Sequence, residues 1–167
     1  MSPTVRRAVP DDARAVREIA TESWHAAYDD VLGTDTVVET IDRWYELADL
    51  EAAIVDARDI EGIVFLVAED GNELVGFAQA GPHRDQPAVA SLSRIYVRPD
   101  RWGEGIGTAL LERLEDDLEA YDRLCLAVLA DNDVGVSFYE STGFERVGVQ
   151  ESNLEDGLEE YVYEKPL

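Results

Sequence analysis

Trp102-Gly103-Glu104-Gly105-Ile106-Gly107-Thr108 is the stretch that decides how this chain is read. An apolar, strand-like run, Ala90–Val97, precedes it and is closed by Pro99-Asp100. An amphipathic helical pattern follows to about Ala120, with Ile106, Leu110, Leu114 and Leu118 on one face and Glu112, Glu115, Asp116 and Glu119 on the other. Glycines at alternate positions clear side chains from one side of the turn, let backbone approach a ligand, and accept positive φ at little cost. The first N–H groups of a helix have no intrahelical partner, and the helix dipole favours an anion there. A pyrophosphate fits this arrangement, with the Thr108 hydroxyl as a further donor. A tight strand-to-helix connection that binds nothing has the same pattern, so the neighbours must arbitrate. A P-loop would need a Gly-Lys-Ser/Thr ending, and no lysine is near. A dinucleotide fingerprint would match Gly103 and Gly105, but residue 108 is threonine and four candidate strands already precede the loop.

Working outward, Val5–Ala8 reads as a short first strand, and Pro10-Asp11-Asp12 offers an N-cap to a helix with Ala13, Val16, Ile19 and Ala20 on one face. Thr34–Ala57 is helical in pattern, in one piece or two. Ile63–Ala68 and Leu74–Ala80 are strands joined by the turn signal Asp70-Gly71-Asn72, and Gly81-Pro82 ends the second. Beyond the glycine loop, Leu124–Leu129 is a strand, Val134–Ser141 a short helix, Gly143-Phe144 the entry to a strand through Val149, and Leu158–Glu164 a last strand. Hairpin-like pairs come first and strand–helix alternation second, which predicts one mixed sheet with helices on both faces. No repeat or linker divides residues 1–167, so one domain is expected.

The second informative stretch is Asn132-Asp133-Val134-Gly135-Val136-Ser137-Phe138-Tyr139-Glu140-Ser141-Thr142-Gly143-Phe144. Gly143 suits a helix C′ position, Phe138 reads as a core anchor, and Tyr139 alone would be an amphipathic packing residue. Taken together, the Gly-x-Gly-x-Gly loop, helix, strand, asparagine and Phe-Tyr-Glu-x-x-Gly-Phe resemble the GNAT superfamily of N-acetyltransferases. The resemblance is specific over Ser91 to Phe144 and looser over Val5–Ala80.

That resemblance implies an α/β (α+β) fold: a single mixed, mostly antiparallel sheet of six to seven strands, with about four helices on both faces. It implies acetyl-CoA as co-substrate and no metal. The amides of Trp102, Gly103, Glu104, Gly105, Ile106, Gly107 and Thr108 would hold the pyrophosphate, with Arg101 and Arg98 as nearby cations. The backbone of Ile95, Tyr96 and Val97 would hold the pantetheine arm, Asn132 and Phe138 would contact it, and Tyr139 would protonate the departing thiolate. The acceptor groove would fall on the first helices, where Trp24 and Tyr28 lie four apart and could stack on an amine, and where His25 could relay its proton. Glu22 and His83 are further candidates near that end. Three positions depart from the family's habit: Trp102 replaces a polar or basic donor, Glu104 puts a carboxylate beside phosphate, and Ser91 stands where some members carry a glutamate base. The expected reaction is acetyl transfer to a primary amine of a small molecule or a peptide N-terminus. A non-catalytic acyl-CoA-binding module and a plain nucleotide-binding domain are the competing readings.

The composition narrows the partners. Thirty-seven acidic residues face 14 basic ones among 167, for a net charge of -23, and Lys165 is the only lysine. A duplex nucleic acid needs cations on its partner, so it is excluded. The acids are spread along the chain, which fits a surface adapted to concentrated salt in a halophile better than a dedicated amine lure. No apolar run reaches the length of a membrane helix, and the stretch from Met1 to Arg7 lacks a leader's apolar segment, so a cytoplasmic location without membrane association is expected. Cys125 is the single cysteine, lies in the apolar run Leu124–Leu129 and reads as a small buried hydrophobe. Related proteins often pair, so a homodimer is one possibility, and the sequence does not fix the oligomeric state.

Overall fold

The structure, a computed structural model, describes residues 3–152 and 157–167; Met1 and Ser2, which begin the opening stretch read above, lie outside them. Strands β1 (Thr4–Arg7), β2 (Val64–Asp70), β3 (Glu73–Pro82), β4 (Val89–Val97), β5 (Arg123–Leu129), β6 (Glu145–Glu151) and β7 (Glu159–Pro166) form one seven-stranded sheet in the order β1-β2-β3-β4-β5-β7-β6. Among the described residues five α-helices, one more than expected, cover it: α1 (Ala13–Leu32), α2 (Thr34–Trp44), α3 (Leu47–Asp59), α4 (Ile106–Asp117) and α5 (Asp133–Ser141). The extra helix arises because Thr34–Ala57 does break in two. Tyr45 leaves helical geometry at φ -124°, Glu46 is extended, and α3 restarts at Leu47.

Other boundaries differ for local reasons. Pro10–Asp12 forms a 3-10 turn before α1, and the Asp12 carboxylate accepts the Val9 N–H at 2.8 Å inside that turn, so it does not cap the long helix. The α4 helix stops short of Ala120 because the Leu118 N–H is shared between the Leu114 and Glu115 carbonyls, a tightening that ends the helix. Cys125 is only half-buried, a correction to its reading as an interior hydrophobe, because alternation turns it off the face where Leu124 and Leu126 pack. Burial still pushes its thiol pKa up.

The core lies on both faces of the sheet. Val16, Ile19 and Ala20 of α1, with Val37, Ile41, Leu50 and Ile54, pack with Phe65, Val67 and Phe77 on one face. Ile106, Leu110, Leu111 and Leu114 of α4 pack with Leu66, Ala78, Leu124 and Leu126 on the other. Among the described residues no helix is long and apolar enough to cross a membrane.

The feature that positions the site is where the sheet fails to close. All strand pairs are antiparallel except β4 with β5, which run parallel and pair only at Val89 with Arg123, Ala90 with Leu124, and Ser91 with Cys125. Just beyond, β4 carries a bulge: Ala80 opposes Leu92 but Gln79 opposes Arg94, so Ser93 is the extra residue. A bulge bends its strand and steepens the twist. The β4 strand therefore stays with β3 while β5 stays with β7, and the two halves of the sheet splay apart.

Candidate active site

The splay opens into a cavity of about 740 Å³. One end lies at the glycine loop. Gly103 and Gly105 have φ of 81° and 84°, conformations that other residues adopt only with strain, and a Cβ at either would meet nothing within 4 Å. Open space there is what a bound group would fill. Gly107 has a different cause from the one expected. A Cβ on it would come within 3.0 Å of the Phe138 ring, so this third glycine lets α4 pack against α5.

The amides of residues 103–108 have no hydrogen-bond acceptor among the described residues, and they form the start of α4. Trp102 departs from its expected role. Its N–H closes a turn onto the Pro99 carbonyl at 3.3 Å, and its indole Nε1 donates to the Val97 carbonyl at 2.9 Å. The Glu104 side chain is absent from the cavity wall because it accepts from Arg101 Nε at 2.9 Å. Arg101 lines the cavity and also donates to Asp70 at 2.7 Å, so its charge is matched on both sides. Arg98 is drawn to Glu18, Glu22 and Glu73 and lies off the cavity wall; neither it nor Glu22 joins the site.

Along the split, backbone groups face the opening. Arg98 N–H bonds to the Val75 carbonyl at 2.9 Å, which sets the alternation of the β3–β4 ladder. Ile95 and Val97 then sit at positions whose N–H and C=O point away from β3, toward the split. The Val97 carbonyl is already taken, by the Trp102 indole and by the Ser23 hydroxyl at 3.1 Å.

Asn132, Phe138 and Tyr139 all line the cavity. The Asn132 side chain caps α5, accepting the Gly135 N–H at 3.0 Å, and its Nδ2 donates to the Tyr28 hydroxyl at 2.9 Å. It is thus a clamp between α5 and α1, a role its sequence position did not disclose. Replacing Asn132 by alanine is expected to cost about 1–2 kcal/mol of stability, mostly the lost cap. Asn132→Asp should recover the cap while still losing the donor to Tyr28. Urea unfolding of both variants checks this, and equal losses in the two would exclude the cap as the main term.

Tyr139 keeps one side open to the cavity while its ring is fenced by Phe138, Phe144 and Tyr163, with centroids 5.4, 5.6 and 6.2 Å away. Its hydroxyl makes no hydrogen bond among the described residues. Burial, with the nearby phenols Tyr28 and Tyr45, pushes its pKa well up, so the group is protonated at neutral pH.

The far end is aromatic. Trp24 packs against Tyr28 with ring centroids 4.6 Å apart and planes tilted by 53°, meets Trp44 edge-on at 5.7 Å, and lies 6.5 Å from Tyr96; its Nε1 donates to the Tyr45 hydroxyl at 3.3 Å. Burial is the main cause that raises the Tyr28 pKa to about 12 and pushes those of Tyr45 and Tyr96 up as well. Trp24 and Tyr28 thus meet on one helix face as their spacing predicted. His25 does not join them. One residue on, it is turned about 100° around the helix, where its Nδ1 meets Asp29 Oδ1 at 2.7 Å off the cavity wall. His83 caps its own turn, accepting the Asp85 N–H at 3.1 Å, and also lies off the wall. Ser91 pairs with Cys125 in the closed part of the sheet, so its position does not reach the cavity at all. Trp44, Tyr45, Arg94 and Glu160 line the cavity without having been anticipated. Among the described residues no group of three or more His, Cys, Asp or Glu side chains is placed to hold a metal ion.

The chain matches a known family model, described as the acetyltransferase (GNAT) family, over residues 14–144. The chain belongs to the GNAT family. A spermidine N(1)-acetyltransferase of Thermoplasma acidophilum is 30% identical over 98% of this chain and 99% of its own length. An L-amino acid N-acyltransferase of Escherichia coli is 27% identical over 84% of this chain and 78% of its own. Among solved GNAT structures, a PaiA N-acetyltransferase from T. acidophilum in complex with coenzyme A superposes with a TM-score of 0.88, at 27% identity, over 100% of both chains.

Proposed function

We propose that this GNAT chain, acting as one domain of residues 1–167, transfers the acetyl group of acetyl-CoA directly to a primary amine of a small, positively charged acceptor. The observation that carries the reading is the single cavity running from unpartnered amides at the start of α4, along the split, to an aromatic end, with a free phenol beside it. The coenzyme A bound by the T. acidophilum neighbour and the spermidine named for the relative support donor and acceptor class.

The space at Gly103 and Gly105 fits a pyrophosphate, and the amides of residues 103–108 would hold it independently of side chains. Backbone groups of Ile95 and Val97 would line the pantetheine arm. A neutral amine attacks the thioester carbon that acetyl-CoA supplies, forming the N–C bond, and the proton it sheds passes to water. The Val97 N–H polarises the carbonyl oxygen, and Tyr139 donates its proton toward the sulfur as the C–S bond breaks. Trp24 and Tyr28 flank the acceptor. In this reading the enzyme draws on a cytoplasmic pool of acetyl-CoA, and its acidic surface suits a concentrated salt medium.

The test is release of free coenzyme A thiol from acetyl-CoA in molar KCl, with polyamines, amino acids, aminoglycosides and peptide N-termini as acceptors. Turnover with a polyamine is the expected result. A folded protein that binds coenzyme A but turns over none of these would sink the enzymatic reading and leave a binding module.

A further inference from the structure

Among the described residues three charged side chains line the cavity: Arg94, Arg101 and Glu160. Two are committed. Arg101 is held by Asp70 and Glu104, and Arg94 lies over the Tyr45 ring at 4.4 Å while donating to the Trp44 carbonyl at 2.8 Å. Glu160 is the exception. In a chain with 37 acidic residues it is, among the described residues, the one carboxylate on the cavity wall, and it makes no ion pair with any of them. Its carboxylate accepts a hydrogen bond from a neutral group, the Gln150 amide, whose Nε2 donates to Oε1 at 3.0 Å.

The strand register fixes which end of the cavity Glu160 serves. Glu160 lies opposite Leu129, the last residue of β5 and itself part of the core under α1. The alternation of β7 puts Glu160 on the same face as Leu158, which packs against that core, while Tyr161 and Tyr163 turn to the face of α4. Glu160 therefore stands on the side of Trp24 and Tyr28, across the sheet from Tyr139. Its charge is close enough to Tyr28 to add to the rise in that phenol's pKa. A carboxylate without a cation, near Tyr28 in a cavity whose wall also holds Trp24, Trp44, Tyr45 and Tyr96, is the chemistry that receives an ammonium: a counter-charge in a partly desolvated site that also offers π-faces.

We infer that Glu160 is the acceptor-binding carboxylate, which receives an ammonium group of the incoming amine and sets the preference for cationic acceptors. The inference rests on the reading of the cavity as an acetyl-CoA and amine site. It also gives the cavity the acidic group that Ser91, in the closed part of the sheet, cannot supply.

The test uses Glu160→Gln, which keeps an acceptor for the Gln150 amide and so spares the β6–β7 pairing, with Glu160→Asp as the charge-retaining control. With spermidine as the probe, E160Q should raise KM by roughly 10- to 100-fold, the loss of one charge-assisted contact, with a much smaller change in kcat. E160D should recover most of the loss. Calorimetric affinity for coenzyme A should be the same in all three proteins. A merely structural role would move coenzyme A binding, or would leave E160D as impaired as E160Q. If E160Q acetylates spermidine with the wild-type KM, the inference is overturned while the proposed activity stands. If the wild type turns over no amine, spermidine binding to the coenzyme A-loaded protein replaces KM as the readout. Binding lost in E160Q would then keep the inference and sink the activity, whereas absence of binding in the wild type would overturn both.

Discussion

Tyr139→Phe is expected to lower kcat by about 100-fold, the low end of what a positioned proton donor contributes, because a thiolate is already a good leaving group. The ring contacts to Phe138, Phe144 and Tyr163 involve no hydroxyl, so the variant should fold and bind coenzyme A as the wild type does. The pH profile carries a second expectation. A phenol whose pKa is pushed up by burial holds its proton longer as pH rises, so the group remains a donor through the alkaline range. The kcat of the wild type should show no falling limb from this residue below about pH 10, the ordinary phenol value. Steady-state thiol release between neutral and alkaline pH measures both. An unchanged kcat in the phenylalanine variant would remove Tyr139 from the reaction.

Gly105→Val should weaken coenzyme A binding by roughly 100-fold or more, equivalent to losing one or two charge-assisted hydrogen bonds of about 1.5–3 kcal/mol each. Gly105 holds φ of 84° at the N-terminus of α4, where a β-branched residue is strained and would turn the following amides away from a shared focus. The space beside it is open, so the added methyls would also stand where the ligand lies. Gly71→Val is the control. That turn residue has φ of 66° and an equally open surrounding, but it lies off the cavity wall. Its valine variant should lose stability and keep its affinity. Calorimetry with coenzyme A on the two variants decides, and equal affinity losses would mean that the loop acts only through the fold.

The pattern of the chain made the donor end legible. Alternating glycines before an amphipathic helix, and the Asn132 to Phe144 stretch after the next strand, are local signals, and local spacing fixes local geometry. The acceptor end depends on register and helix rotation, which spacing alone leaves open. Trp24 and Tyr28 could be paired because four residues only slightly exceed one helical turn. His25 drew attention for its chemistry, but the same rotation removes it from the cavity. Glu160 carried no signal, because it sits in Glu159-Glu160-Tyr161-Val162-Tyr163-Glu164, where acids fall on both faces and only the pairing with β5 tells them apart. Arg98 and Arg101 looked like phosphate cations because they flank the loop. Carboxylates distant in sequence, Asp70 and Glu73 among them, had prior claim on both.

The parallel seam at Val89–Ser91 has a mechanical meaning. Three residue pairs stitch β1-β2-β3-β4 to β5-β7-β6, so along the seam the molecule resembles two leaves on a short hinge. A ligand lying along the gap would act as a suture, making up for cross-strand pairing that the polypeptide leaves out. Ligand binding is then expected to stiffen the full sheet.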